Sequence, residues 1–365
     1  MIYLDYNGTA PLSPSVRQYL TTDAADDWAN PSAEHDVGYA ARVKMNSDRE
    51  AIADTLGVNA GEIIFTAGAT ESINTVLHPE HCRQLAVHSV ISSALEHSAT
   101  KGSLDRLKRH GVAVHLVRCT PTGGLDYEHL AEICQANPRS LVSLMHANNE
   151  TGVINDATRI SGIARSSDGL IHLDAVQTLG KLALDFGAID FDWASFTGHK
   201  LGSLKGIGLL VTRQPKVTMP LLIGGSQEGG KRGGTSNVMS VRSLKLALDD
   251  AAAWDIGEIT TARDELFAAW QKQHPTIELN CEAEPRLCNT LSIYIPGASA
   301  KELMLKASRA GVMISTGSAC TAGNERPSYV IEGIYGTERA RGTIRVSAGA
   351  SAIQCPQFLG GWSSI

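Results

Sequence analysis

Two segments decide the fold, Leu170-Ile-His-Leu-Asp-Ala-Val-Gln177 and Trp193-Ala-Ser-Phe-Thr-Gly-His-Lys200, and each begins apolar and ends in polar residues. Short apolar runs of this kind are typical of the buried strands of an α/β sheet. Residues 160–165 have helical spacing and separate the first segment from another apolar run, Leu141-Val-Ser-Leu-Met145. Because such sheets present ligand groups at the carboxyl ends of their strands, we expect Asp174 to lie where chemistry can occur.

The same alternation of apolar runs and helical segments extends in both directions along the chain. Further strands are predicted at residues 63–66, 85–91, 112–117 and 208–211. Residues 241–273 have the composition of one long helix. After it, strands are predicted at residues 277–280, 290–295 and 342–347, with helices at 299–310 and 328–335. The pattern predicts a mostly parallel α/β domain and a smaller α+β domain packed against it.

Length and composition are those of a globular enzyme. The 365 residues suggest about two domains, and 43% hydrophobic with 19% charged residues exclude a disordered chain. Lys and Arg number 32 against 38 Asp and Glu, and the net charge of −6 argues against a nucleic-acid partner. No export signal and no membrane-spanning apolar run is visible in the sequence. We therefore expect a cytoplasmic protein without a membrane partner.

Cysteine usage indicates a reduced compartment. The seven cysteines are scattered and none belongs to a CxxC pair: Cys82, Cys119, Cys134, Cys281, Cys288, Cys320 and Cys355. An odd, scattered set predicts neither a disulfide framework nor a zinc ribbon, and no metal site is expected. In a reduced cytoplasm a single special thiol can do chemistry.

Two motifs place reactive groups after predicted strands. Lys200 lies in Gly198-His-Lys-Leu-Gly202, where small neighbours allow a close approach to a ligand. A buried lysine with a lowered pKa can form a Schiff base, although this motif alone is more typical of a surface lysine in a turn. Asp174 could serve a ligand at the end of its strand or cap the following helix, which is the more common role.

Two further motifs complete a recognisable set. Thr66-Ala-Gly-Ala-Thr-Glu-Ser72 connects a strand to a helix, and its small residues leave N–H groups and a hydroxyl to bind phosphate. His97 could stack on an aromatic ligand, with a structural histidine as an equally good alternative. An imine-forming lysine, a strand-end carboxylate, a phosphate-binding turn and a stacking ring together suit pyridoxal 5'-phosphate.

These motifs occur in an order that resembles a known family. From residue 3 to about residue 349, the chain is similar to the cysteine desulfurases of the class V aminotransferase fold, which supply sulfur for iron–sulfur cluster assembly and related sulfur metabolism. The resemblance rests on the segments around Lys200, Asp174 and Thr70 and on five others: Tyr3-Leu-Asp-Tyr-Asn7, Met145-His-Ala-Asn-Asn-Glu-Thr-Gly152, Gly317-Ser-Ala-Cys320, Pro327-Ser-Tyr-Val330 and Ile344-Arg-Val-Ser347.

The resemblance implies the fold and the division of the chain. Residues 12–250 would form the large domain of a pyridoxal-phosphate enzyme of fold type I, with a mostly parallel seven-stranded sheet. Residues 1–11 and 251–365 would form the smaller α+β domain, which carries the Cys320 loop and Arg345. The sequence after Ser347-Ala-Gly349 departs from the family pattern, so the resemblance does not predict how the small domain packs there.

The resemblance also implies how the cofactor is held. Lys200 would bind pyridoxal 5'-phosphate covalently, Asp174 would pair with its ring nitrogen, and Gln177 would donate a hydrogen bond to its phenolic oxygen. His97 would stack on the ring and move protons. The phosphate would be bound by Thr70, Thr197 and His199. Thr235 resembles the family threonine that reaches the phosphate of the neighbouring subunit, which implies a homodimer.

Substrate and sulfur chemistry follow from the same resemblance. Asn149 would contact the substrate near the ring, and Arg345 would bind the carboxylate of L-cysteine. Cys320, in a segment of small residues, would attack the substrate sulfur and become a persulfide, leaving L-alanine. A sulfur-acceptor protein of unknown identity would then take up the sulfur.

Two alternatives remain open, and a third is set aside. The chain could be another class V enzyme, such as a selenocysteine lyase or an aminotransferase, but transamination needs no thiol and Cys320 favours desulfuration. It could be a sulfur-relay scaffold without catalysis, although the presence of Lys200, Asp174 and Arg345 together argues against that. A nicotinamide-binding protein is set aside because no GxGxxG follows a first strand.

Overall fold

The computed structural model describes residues 1–182, 185–317 and 327–349. In these residues the strands are β1 (Ile2–Tyr3), β2 (Ile63–Thr66), β3 (Ser89–Ser93), β4 (Ala113–Val117), β5 (Leu141–Met145), β6 (Leu170–Asp174), β7 (Trp193–Thr197), β8 (Gly208–Thr212), β9 (Glu278–Leu279), β10 (Thr290–Tyr294), β11 (Val312–Met313) and β12 (Thr343–Ser347). The α-helices are α1 (Pro14–Thr22), α2 (Asp36–Leu56), α3 (Ala69–Val76), α4 (Pro79–Gln84), α5 (Ser98–Arg109), α6 (Tyr127–Ala136), α7 (Ala157–Arg165), α8 (Val238–Ala252), α9 (Ile256–Gln273), α10 (Ala300–Arg309), α11 (Tyr329–Tyr335) and α12 (Thr337–Arg341).

The central sheet has seven strands in the order β2-β8-β7-β6-β5-β3-β4. Only β8 runs against its neighbours, so the predicted mostly parallel seven-stranded sheet is confirmed. In the register of the central strands, Asp174 lies between Met145 and Ser195. The strand-end segments that the sequence singled out therefore meet at one edge of the sheet, where α/β folds place their ligands.

Both faces of this sheet are buried beneath helices. Successive strand residues alternate between two apolar clusters: Ile63, Ile91 and Leu209 face one cluster, and Ile64, Val90 and Leu210 face the other. The first cluster is covered by helices such as α8, through Val241, Leu244 and Leu248, and the second by α3 and α5. A sheet covered on both faces needs apolar residues at nearly every position, which explains the continuous apolar runs.

The carboxyl-terminal part of the described chain forms a separate apolar core. Strand β10 pairs antiparallel with β9 and β12, and β1 pairs with β11. Leu4 and Tyr6 pack in this core with Leu266, Trp270 and Ile293. The first residues of the chain thus join elements that lie far away in the sequence, and this brings Asp5 and Asn7 next to β12.

The long helix predicted after β8 was wrong. The single helix predicted over residues 241–273 is two helices, α8 and α9, separated at residues 253–255. The Asp255 side chain accepts a hydrogen bond from the Glu258 backbone N–H and so starts a new helix. Ala-rich composition concealed this cap. In the described residues, no helix combines the length and the apolar character that a membrane crossing requires.

Candidate active site

A cavity of about 640 Å³ opens at the carboxyl ends of the central strands. Nine of the predicted site residues line it: Thr70, His97, Asn149, Asp174, Gln177, Thr197, His199, Lys200 and Arg345. The two others are Thr235 and Cys320. Thr235 is exposed and lies away from this cavity. The prediction for Cys320 falls outside the described residues.

Lys200 reaches the cavity from the turn that follows β7. A short 3₁₀ turn, Gly198–Lys200, reverses the chain, and Gly202 has a φ of +93° that favours glycine. A side chain at Gly202 would also come within 2.7 Å of the Pro11 carbonyl oxygen, so the turn depends on close backbone packing. The Lys200 Nζ atom donates to the carbonyl oxygens of Asn7 at 2.5 Å and Gly8 at 2.6 Å.

Asp174 presents a buried carboxylate at the end of β6. Only 6% of the residue is exposed, and its Oδ1 atom accepts a hydrogen bond from the Val176 backbone N–H at 3.1 Å. Burial raises the pKa of Asp174 to about 6, against the lowering effects of that hydrogen bond and of Lys200. A cationic ring nitrogen at this carboxylate would favour its ionised form.

His97 also lines the cavity, and Glu96 precedes it in the chain. The His97 Nδ1 atom accepts from the Ala99 backbone N–H at 3.2 Å and thereby caps α5. Burial, followed by the charge of Lys200, lowers the pKa of His97, so the ring is neutral at physiological pH. Glu96 is 1% exposed, and burial together with Asp174 raises its pKa well above the ordinary value. Its Oε1 atom accepts from the Met145 backbone N–H at 3.1 Å.

The far end of the cavity is suited to an anion. Helix α3 begins after Gly68, which provides no capping side chain, and Thr70 lies in its first turn. A Cβ atom at Gly208 would lie 2.7 Å from the Gly68 Cα atom, so the strand and the turn touch through glycine alone. Thr197 and His199 also line the cavity, and burial and nearby lysines lower the pKa of His199 to about 4.

Arg345 enters from β12 and is almost completely enclosed, with 2% of the residue exposed. Its Nη1 atom donates to the Asn149 carbonyl oxygen at 2.8 Å, and its Nη2 atom pairs with the Asp5 carboxylate at 2.5 Å. The strand position is fixed by pairing with Ser292 in β10 and by a bridge to Ser315. A buried guanidinium that lines a cavity is suited to bind a carboxylate.

Four side chains near the assigned site residues had no role predicted from the sequence: Asp5, Asn7, Glu96 and Lys181. Asp5 and Asn7 belong to the Tyr3-Leu-Asp-Tyr-Asn7 segment, which was singled out without a role for either side chain. Glu96 precedes His97, and Lys181 follows Gln177 by four residues. Their closeness in sequence to assigned residues was the signal that could have pointed to them. Their contacts could not be predicted, because these contacts join residues that are far apart in the sequence.

Comparisons with known proteins agree with this geometry. Residues 2–353 match the aminotransferase class V family. A protein of Enterobacter agglomerans named cysteine desulfurase is 33% identical over 95% of this chain and 87% of its own length. A solved structure named as a NifS-like protein aligns with a TM-score of 0.87 at 28% identity, over 98% of this chain and 97% of that one. A structure described as SspA in complex with cysteine has a TM-score of 0.83 at 29% identity, over 96% and 99%.

By fold and site, the protein is an α/β enzyme of the class that uses pyridoxal 5'-phosphate. At this similarity the chain belongs to the class V aminotransferase family and, within it, to the cysteine desulfurases. The site residues fit the cofactor on chemical grounds. Lys200 supplies an amine, the buried Asp174 carboxylate would be ionised more readily beside a cationic ring nitrogen, and the start of α3, which no side chain caps, is suited to an anion.

Proposed function

We propose that this protein removes sulfur from L-cysteine and leaves L-alanine, as a cysteine desulfurase does. The observation that carries the proposal is the convergence of Lys200, Asp174 and Arg345 in one cavity of a chain from this family. An amine, a buried carboxylate and a buried guanidinium are the groups needed to hold the cofactor and an amino acid substrate together. The other assigned roles follow from their positions around these three.

Arg345 orients the substrate. Its guanidinium can bind the carboxylate of L-cysteine through paired N–H groups, a geometry that an ammonium cannot reproduce. Asn149 touches Arg345 through its carbonyl oxygen and lines the cavity beside it. Binding at Arg345 leaves the amino group and the α-carbon of the substrate inside the cavity with Lys200.

Lys200 transfers protons within the cavity. Pyridoxal 5'-phosphate, when bound, supplies an electron sink for the charge released at the substrate α-carbon. The Lys200 Nζ atom accepts the α-carbon proton and later returns a proton to the product. Asp174 would hold the ring nitrogen in its protonated form, Gln177 would donate to the phenolic oxygen, and His97 would stack on the ring and move protons.

Cys320 takes the sulfur. Its thiolate attacks the sulfur atom of the substrate, so that an S–S bond forms and the carbon–sulfur bond breaks with its electron pair remaining on carbon. A proton then completes the methyl group of alanine, and Cys320 holds a persulfide. This step rests on the motif Gly317-Ser-Ala-Cys320, since the cysteine lies outside the described residues.

The assembly and the cellular role extend the proposal. Thr235 is exposed in the single chain. Exposure is expected of a residue that completes the phosphate site of a second copy, and this assignment implies a homodimer. Following the family resemblance, we assign residues 12–250 to the large domain and residues 1–11 and 251–365 to the small one. The persulfide would pass to an acceptor protein of iron–sulfur cluster assembly or another sulfur pathway, in the cytoplasm.

Covalent trapping tests the lysine assignment. Reduction of the holoenzyme with borohydride should fix the cofactor to Lys200, and fragmentation of the labelled peptide should identify the modified residue. Lys200→Ala should lose both the attached cofactor and alanine formation from L-cysteine. Lys205→Ala is the matched control, because Lys205 lines the same cavity and should leave the attachment at Lys200 intact. Attachment at another lysine, or alanine formation by Lys200→Ala at the wild-type rate, would contradict the proposal.

A further inference from the structure

Lys181 is a buried cation for which the reaction described above has no role. It is 2% exposed and lies in the turn that follows Gln177. Its Nζ atom donates to the Gln177 Oε1 atom at 2.5 Å and to the Asn7 Oδ1 atom at 3.0 Å. Both of these partners are neutral amide oxygens. An ammonium group kept in such a place, at the cost of its hydration, requires an explanation.

The contact with Lys181 fixes which way the Gln177 amide points. A side-chain amide has an acceptor oxygen and a donor NH₂ group, whereas an ammonium group can only donate. In agreement with this, the Gln177 oxygen faces Lys181, and the Nε2 atom faces the opposite side. There it donates to the Asn7 carbonyl oxygen at 3.1 Å, the same oxygen that accepts from Lys200 at 2.5 Å. Lys181 thus turns the donor end of Gln177 toward the cavity.

Asn7 is held by the same contact. Its Oδ1 atom accepts from Lys181 and also from the Asn289 Nδ2 atom at 3.2 Å, while its own Nδ2 atom donates to Thr290 at 2.8 Å. Lys181 and Asn289 therefore donate to one oxygen of Asn7, but of the two only Lys181 is bonded to Gln177. This difference separates an effect on Gln177 from an effect on local packing.

We propose that Lys181 is a positioning residue that holds Gln177 as a hydrogen-bond donor toward the oxygen of the bound cofactor. This inference rests on the proposed function, and in particular on the contact between Gln177 and that oxygen. Without Lys181 the amide can rotate and present its oxygen instead, which would repel a negatively charged partner. Lys181 does not line the cavity itself, so it acts on the cofactor through Gln177.

The electrostatic setting supports this role. The charged and titratable groups that act on Lys181 are Lys200, Cys288 and Arg345. Burial, followed by the charge of Lys200, lowers the pKa of Lys181 to about 7. A donor facing the cofactor oxygen favours the form of the cofactor that has lost a proton, because that form holds more negative charge on the oxygen. Lys181 should accordingly lower the pH at which the visible band of the holoenzyme titrates.

The test is a pH titration of the visible spectrum of the purified holoenzyme. Lys181→Met should raise the midpoint by about one pH unit, the size of one hydrogen bond to a charged group. Asn289→Ala, the matched control, should leave the midpoint unchanged even if the unfolding temperature falls. Gln177→Ala should raise the midpoint as Lys181→Met does, and adding Lys181→Met to Gln177→Ala should produce little further change.

Each result decides between the possibilities. An unchanged midpoint in Lys181→Met, or the same rise in Asn289→Ala, would overturn the positioning role. A full further rise in the double variant would also overturn it, because Lys181 would then act by its charge and not through Gln177. If Lys181→Met does not retain the cofactor, the variant Lys181→Arg is used in its place. An arginine can only donate, so this variant should have the wild-type midpoint. A midpoint equal to that of Gln177→Ala would refute the positioning role. A wild-type enzyme without any visible band would refute the proposed function as well.

Discussion

The substitution Asp174→Asn should make the cofactor-free enzyme more stable above pH 6, even though it removes a residue needed for function. The Asp174 carboxyl is buried, and its pKa in the folded chain is about 6, compared with an ordinary value of 3.8. This increase of about two units in the pKa lowers the free energy of unfolding by about 3 kcal/mol once the carboxyl is ionised. Because the folded pKa is raised, this cost is absent below about pH 4, grows as the pH rises toward 6, and then stays constant.

Chemical denaturation of the cofactor-free wild type and Asp174→Asn, at pH 4.5 and at pH 7.5, measures this cost. The difference in unfolding free energy should change in favour of the variant by about 2 kcal/mol between the two pH values. An asparagine has no proton to lose, so constant local effects of the substitution cancel in this comparison. With the cofactor bound, the ring nitrogen compensates the carboxylate, and the advantage of the variant should disappear. A difference that does not vary with pH would refute the reasoning.

Four further outcomes follow from the site. Arg345→Ala should raise the KM for cysteine at least ~10-fold and leave the visible spectrum intact, since a buried charged contact is worth roughly 2–5 kcal/mol; an unchanged KM would argue against the carboxylate role. Asp5→Asn should lower the unfolding temperature, because Arg345 loses the carboxylate with which it pairs. The same change should reduce the KM for cysteine about 5-fold, or ~1 kcal/mol, because the Asp5 carboxylate no longer competes with the substrate carboxylate for Arg345. A higher KM would show that Asp5 orients Arg345 instead. Thr235→Ala should weaken cofactor binding in a dimer detected by sedimentation, whereas a monomer with tightly bound cofactor would contradict the shared site. Cys320→Ser should keep the spectral response to cysteine but lose alanine and sulfide formation, and wild-type rates of both would remove Cys320 from the mechanism.

The central strands could be predicted because burial on both faces produces continuous apolar runs. The predicted bounds of β5 and β6 agree with the structure. Strand β3 was predicted at residues 85–91 but lies at Ser89–Ser93, because its serines look like a turn in sequence. In the fold these hydroxyls are satisfied across the sheet, as when Ser92 Oγ donates to the Ser143 carbonyl oxygen at 2.7 Å. Such cross-strand bonds leave no local pattern in the sequence.

The site could be predicted only as far as its motifs extend. Segments such as those around Asp174 and Lys200 are short, and each places its polar residue by local geometry at a strand end. The support behind them is made by contacts between distant segments. Lys181 has the sequence setting of a surface lysine in a turn, yet it is buried and donates to Asn7, which lies 174 residues away in the chain. The Asp5 contact with Arg345 spans 340 residues, and neither contact has a local signature.

The most direct test of the account is the fate of the substrate sulfur. Purified holoenzyme should be mixed with L-cysteine in the absence of reductant, with alanine measured by chromatography and the cysteine-containing peptides measured by mass spectrometry. The account predicts alanine together with one extra sulfur atom on the peptide that contains Cys320, and the loss of both in Lys200→Ala. Alanine formation without added sulfur on that peptide, or an extra sulfur confined to another cysteine, would contradict it.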